Sequence, residues 1–85
     1  MATRLMIHPR IHDKHPELSD DDVKAAFNSI FKHIHRESGE CVGVGMDRKQ
    51  RLVELVFREC GDSIIVYHAL TPPTQKVMKA LGMIR

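Results

Sequence analysis

Six side chains in this sequence are of the kinds that phosphate chemistry uses: Lys14, His15, Arg51, Arg58, Tyr67 and His68. Cleaving an RNA phosphodiester needs a group to take the 2′-hydroxyl proton, cations to steady the charge that builds on phosphorus, and an acid for the departing oxygen. Histidine, tyrosine, lysine and arginine fill those roles between them without a metal. The competing reading is structural: His68 as a satisfied core histidine, Tyr67 as a packing residue, and the cations as solvated surface. On spacing alone the structural reading is favoured.

Other chemistries find less support. His8, His12 and His15 are spaced four and three apart and would share one helical face, but nothing in the chain supplies a fixed fourth metal ligand. The run Asp20-Asp21-Asp22 invites the same idea, yet consecutive helical residues do not share a face, and three carboxylates suit the positive end of a helix. The chain has no P-loop, GxSxG, HExxH or zinc-finger spacing. No metal and no cofactor are therefore expected.

The stretch that must position Tyr67 and His68 runs from Ile64 to Thr74. Its first half is β-branched and aromatic and predicts a strand with both faces covered. Thr71 is expected to cap a final helix, with Pro72 and Pro73 in its first turn and Gly82 as its stop.

Upstream, Arg4 to Ile7 reads as a short edge strand, and Pro9 opens a short helix that Pro16 ends. Ser19 is the expected cap of a longer helix whose apolar stripe is Val23, Ala26, Phe27, Ile30, Phe31 and Ile34, closed by Ser38 and Gly39. His33 and His35 then fall at its solvated end. Cys41 to Met46 and Arg51 to Glu59 form a hairpin across a polar turn. Pairing Met46 with Arg51 sets Val44 against Val53 and Val42 against Leu55, and this register is preferred because a slip would place Val44 against Glu54. Gly61-Asp62 makes the next turn, setting Leu55 opposite His68 and Val56 opposite Tyr67. The expected fold is α+β: a three-stranded antiparallel meander with an N-terminal edge strand, two N-terminal helices and one C-terminal helix.

Eighty-five residues make a single domain with a thin stability margin, so a partner chain or a homodimer would help it. The net charge of +2 is too small to argue for nucleic acid by itself. Its distribution is uneven: residues 1–40 carry six Lys/Arg against seven Asp/Glu, and residues 41–85 carry seven against four. The sheet-forming half can thus meet phosphate. No apolar run approaches the roughly 18 residues of a membrane span, so no membrane contact and a cytoplasmic location are expected. Cys41 and Cys60 lack CxxC spacing and do not face each other in the preferred register, so both read as free thiols.

The segment Lys14-His15-Pro16-Glu17-Leu18-Ser19-Asp20-Asp21-Asp22-Val23-Lys24-Ala25-Ala26-Phe27, with the order of elements, resembles the toxins of the BrnT family. That family has a Lys-His-Gly-type motif ahead of an amphipathic helix, and its later Gly, turn, Arg-Leu pattern is similar to Gly45-Met46 and Arg51-Leu52-Val53. The likeness extends from about Lys14 to Leu81. Pro16 stands where the family has glycine, and Leu70, in Ala69-Leu70-Thr71, stands where its strand-end arginine is expected. The resemblance implies a RelE-like fold, metal-independent endoribonuclease activity against RNA (mRNA, as a toxin inhibiting translation), and neutralisation by an antitoxin protein. Lys14 and His15 follow from the shared motif; Arg51, Tyr67 and His68 are added on chemical grounds. His15 or His68 would serve as base or acid, with Lys14 and Arg51 steadying phosphate. The alternative is a non-catalytic RelE-like-fold binding protein that acts through a protein partner or as a dimer.

Overall fold

Two layers of helix sandwich a five-stranded mixed sheet in the computed structural model, which describes residues 4–84. The chain runs β1 (Arg4–Ile7), α1 (Arg10–Lys14), α2 (Asp20–Asn28), β2 (Lys32–His35), β3 (Cys41–Met46), β4 (Leu52–Cys60), β5 (Ser63–Leu70) and α3 (Gln75–Ala80). Across the sheet the order is β1-β5-β4-β3-β2; β1 pairs in parallel with β5 and every other pair is antiparallel. This is the expected α+β class, with a larger sheet and a different helical arrangement. No helix of the described residues is long and apolar enough to cross a membrane.

Helix α2 begins as its sequence dictates. The Ser19 hydroxyl accepts from the Asp22 backbone N–H, and the Asp22 carboxylate accepts from the Ser19 N–H, so the cap is reciprocal. Its end differs from expectation. The apolar stripe predicted a helix continuing to Ile34, but α2 stops at Asn28, and Lys32–His35 forms the edge strand β2. Ser29 explains the stop. Its hydroxyl lies within 2.9 Å of the Ala25 carbonyl and bonds both the N–H and the carbonyl of Met46, tying the helix end to the end of β3. A serine that satisfies backbone groups this way competes with the next helical turn. Ile30, Phe31 and Ile34 match a helical period, but a short edge strand with one inward residue matches it as well.

The β3–β4 register corrects the preferred pairing by one residue. Met46 faces Leu52, Val44 faces Glu54 and Val42 faces Val56. Asp47 sets this frame: its carboxylate accepts from the N–H groups of Lys49 and Arg51 and from Arg51 Nε, at 2.7 to 2.9 Å, and its own N–H bonds the Arg51 carbonyl. The loop therefore closes on Asp47 and Arg51, with Gln50 at φ 63°. The hydrophobic pattern could not choose the register because β3 is buried on both faces. Gly45 lies against α2, where an added Cβ would come within 1.8 Å of the Ala26 carbonyl oxygen.

Between β4 and β5 the predicted register holds from Cys60–Ser63 to Phe57–Val66 and is then lost. A bulge leaves Tyr67 unpaired, so Val56 faces His68 and Leu55 faces Ala69, in place of the expected Leu55–His68 and Val56–Tyr67 pairs.

One core, under α1 and α2, joins Ile11, Leu18, Val23 and Ala26 to Val53, Leu55, Phe57, Val66 and Ala69. A second, under α3, joins Val77 and Leu81 to Val42 and Val44. Helix α3 is capped by Thr74, not by Thr71, and both prolines precede it. Gly82, at φ 73°, ends it as expected.

Candidate functional site

Strand β1 leaves the sheet at Ile7, where it pairs with Val66, so on that side the last residues of β5 have no strand beside them among the described residues. Helix α1 crosses that gap. The space between them is a cavity of about 240 Å³ lined by Arg10, Ile11, Lys14, His15, Tyr67, His68 and Ala69. Four of the five candidate site residues are thus brought together: Lys14 and His15 from the end of α1, Tyr67 and His68 from the bulge. Ile11 and Ala69 anchor both walls in the core.

The bulge decides where the last two point. In a regular strand, neighbours alternate between faces. Here Val66 and Ala69 both enter the α1–α2 core, while Tyr67 and His68 both bond residues on the α3 side. The extra residue in β5 allows two consecutive polar side chains to share a face without breaking the core pattern.

His68 is held by a buried carboxylate. Its Nε2 lies 2.8 Å from Oε2 of Glu54, which is only 4% exposed. The other oxygen, Oε1, accepts from the Thr74 N–H at 2.8 Å and the Thr74 hydroxyl at 3.0 Å. A carboxylate only accepts, so Nε2 of His68 carries hydrogen and Nδ1 holds the lone pair of the neutral ring. The His15 ring meets His68 edge-on, with centroids 6.4 Å apart, and its Nδ1 lies 3.8 Å from Oε2 of Glu17. Lys14 and Arg10 are exposed and form no ion pair among the described residues. The arrangement is two imidazoles and two uncommitted cations around one small opening.

Tyr67 is otherwise engaged. Its hydroxyl donates to Glu40, and burial together with that bond pushes the phenol above its ordinary range. The same bond, with Arg36 beside it, holds the Glu40 carboxyl below its usual range. Tyr67 is a wall of the cavity and a poor base.

Arg51 is not at this site. Its guanidinium bonds Asp47 at 2.7 Å and the Glu17 carbonyl at 3.1 Å, and lies 3.6 Å from Asp22. These contacts fix the β3–β4 loop to the start of α2, so Arg51, expected to steady phosphate, is not brought to the cavity. Burial works to raise Asp47, but bonds from Arg51 and Lys49 outweigh it and leave the carboxyl below its usual value. Asp22 behaves alike: burial is overcome by its bonds to Ser19 and by the charge of Lys49. Arg58 is also spent, donating to the Ser38 carbonyl at 2.9 Å.

The three N-terminal histidines disperse. His8 accepts from the Arg10 N–H, His12 bonds Asp20, and only His15 turns to the cavity. The Asp20 bond comes first among the causes that raise His12 above its ordinary value, with the Leu18 carbonyl second. His33 and His35, expected at a helix end, lie two apart on β2 with rings 5.6 Å apart. Both thiols are free, Cys41 buried and Cys60 exposed.

Two contributors were missed from the sequence. Arg10 had no motif to mark it. Glu54 did: a lone carboxylate inside Leu52-Val53-Glu54-Leu55-Val56 must find partners if the strand is buried.

No family model, curated protein or solved structure matches this chain.

Proposed function

We propose that this chain is a metal-independent endoribonuclease, the toxin component of a type II toxin–antitoxin pair with a RelE-like fold. The observation that carries the catalytic reading is the facing pair His15 and His68, one backed by the buried Glu54, beside Lys14 and Arg10. The toxin reading rests on the likeness of the Lys14-His15 segment to the BrnT family.

In this reading Nδ1 of His68 takes the proton from a ribose 2′-hydroxyl. The 2′-oxygen forms a bond to phosphorus, the bond from phosphorus to the 5′-oxygen breaks, and His15, protonated, donates to that departing oxygen. The products are a 2′,3′-cyclic phosphate and a 5′-hydroxyl. Glu54 stabilises the imidazolium that forms on His68, as a carboxylate behind a catalytic histidine does elsewhere. Lys14 and Arg10 offset the charge growing on the phosphorane oxygens. The cavity admits a phosphate and its ribose, leaving bases outside, so little base selectivity is expected from the cavity walls.

Purified protein incubated with an end-labelled single-stranded RNA in excess EDTA is expected to yield fragments ending in a cyclic phosphate. A 2′-deoxy linkage is expected to resist, and His15→Ala and His68→Ala to fall by two orders of magnitude or more, about the range of general acid–base catalysis. Expression of the wild-type chain alone is expected to slow growth. RNA left intact by folded protein overturns the catalytic reading. Growth slowed equally by the wild type and both alanine variants would favour the non-catalytic binding protein.

A further inference from the structure

Strand β2 is an open edge of the sheet: it pairs with β3 on one side and with nothing among the described residues on the other. We infer that this edge accepts an extended acidic segment of another protein, which adds to the sheet as a further strand.

The backbone comes first. The Arg36 N–H donates to the Glu40 carbonyl at 2.8 Å, so Arg36 belongs to a bonded pair with β3. Bonded and outward residues alternate in an antiparallel ladder. Ile34 therefore bonds inward, and His33 and His35 turn their N–H and carbonyl groups to the free edge. These groups are the template for strand addition, in which main-chain bonds give affinity and alternate side chains give selectivity.

Charge then chooses the occupant. From Lys32 to Arg36 the sequence is Lys-His-Ile-His-Arg, basic or ionisable to cation at four of five positions and acidic at none. Only Ile34 is partly buried. Arg36 does lie 3.4 Å from Glu40, a loose and half-exposed pair. A second copy of the chain added antiparallel about Ile34 would set Lys32 against Arg36 and His33 against His35, and like charges directly opposite each other destabilise a sheet. An acidic strand meets the reverse situation.

The two faces differ. Lys32 and Ile34 share the face that holds Val42 and Val44, whereas His33 and His35 share the face with a cavity of about 310 Å³ lined also by Phe27, Ile30 and Phe57, where the Glu59 carboxylate disfavours a second acid. Helix α2 ends too early to close this cavity. A segment that alternates acidic and apolar residues satisfies both: acids beside Lys32 and Arg36, apolar groups beside the cavity. Phe31, 54% exposed at the start of the strand, extends the apolar contact.

The test uses the whole chain and a fluorescent peptide of alternating glutamate and valine, about six residues long, as a strand of ordinary length. Its counterpart carries lysine for glutamate. The acidic peptide is expected to bind and the basic one not to, and Lys32→Glu is expected to weaken binding by about tenfold. Amide exchange of the wild-type protein is expected to slow at His33 and His35 on binding, with Ile34 unchanged. Proline at His33 or His35 removes an outward donor while leaving the inward ladder, and is expected to abolish binding with the far-ultraviolet circular dichroism intact. Equal binding of both peptides, unaltered exchange at His33 and His35, or self-association through β2 overturns the inference. The exchange measurement needs no variant, so the test stands even if a proline variant fails to fold.

Discussion

Glu54→Gln changes one atom and sets two neighbours in conflict. The Thr74 N–H opens α3 and can only donate, so it claims the oxygen of the new amide. The amide nitrogen is then left against Nε2 of His68, which in the wild type also donates. The imidazole must give up that hydrogen and move it to Nδ1. Two bonds from Thr74 pass from a charged to a neutral acceptor, losing about 1 kcal/mol each, and the His68 bond loses less because that side chain is 37% exposed and rehydrates. The sum is about 2 kcal/mol, against a total of about 4–13 kcal/mol for a chain of this length. For a domain of this size the melting temperature is expected to fall by roughly 8–16 °C. Glu54→Leu keeps the bulk but strands both Thr74 donors, and is expected to cost more, about 3–5 kcal/mol. Calorimetry gives the stability change, and imidazole nitrogen shifts by NMR give the tautomer. In the proposed reaction, RNA cleavage by Glu54→Gln also falls, because Nδ1 of His68 then carries hydrogen and cannot take the 2′-hydroxyl proton. A Glu54→Gln protein with unchanged melting and Nε2–H still in place would overturn this assignment of the Glu54 contacts.

His12 is raised by its bond to Asp20, so its contribution to stability is fully present below the ordinary histidine value of 6.5 and fades as pH rises through the folded value. Denaturant titrations should therefore show a loss between weakly acidic and alkaline pH that Asp20→Asn removes. Asp22 and Asp47 are both lowered, so their contribution is present above the usual carboxylate value of 3.8 and is lost as acid titrates them. Asp47→Asn is expected to cost about 2–4 kcal/mol and to flatten the acid limb of the unfolding curve, since it strips Arg51 of its closest partner. Gly45→Ala drives a methyl into the α2 backbone and is expected to cost about 3 kcal/mol or more, whereas Gly61→Ala, with φ 61° and open space around it, is expected to cost about 1–2 kcal/mol. Urea midpoints of the two variants check the order.

Local signals carried most of the fold. The Ser19 cap, the turns at Asp47 and Gly61, and the stop at Gly82 each depend on residues within a few positions, and each is legible in the chain. Where the reading slipped, the deciding contact was distant. Ser29 ends α2 through Met46, which lies 17 residues away. Keeping Val44 away from Glu54 supposes that a carboxylate has no place in a buried pair. In the fold, His68 of β5 and Thr74, the cap of α3, satisfy the Glu54 carboxylate and make that pair acceptable. His15, Lys14 and His68 were found by type and converge around one cavity. Arg51 has the same type but is claimed by Asp47, which no spacing rule foretells.

The bulge at Tyr67 also divides the β4–β5 ladder mechanically. From Cys60 to Phe57 the ladder is buttressed by β1, which reaches no further than Val66. From Val56 to Glu54 it is buttressed by α3, through Glu54 and Thr74. The two halves share β3 and the core beneath α1 and α2, but they differ in these flanking supports and meet at an unpaired residue, where local opening would begin. The cavity sits across that seam. A ligand gripping Lys14 and His15 on one side and His68 on the other would act as a clasp across the point where the ladder is unpaired.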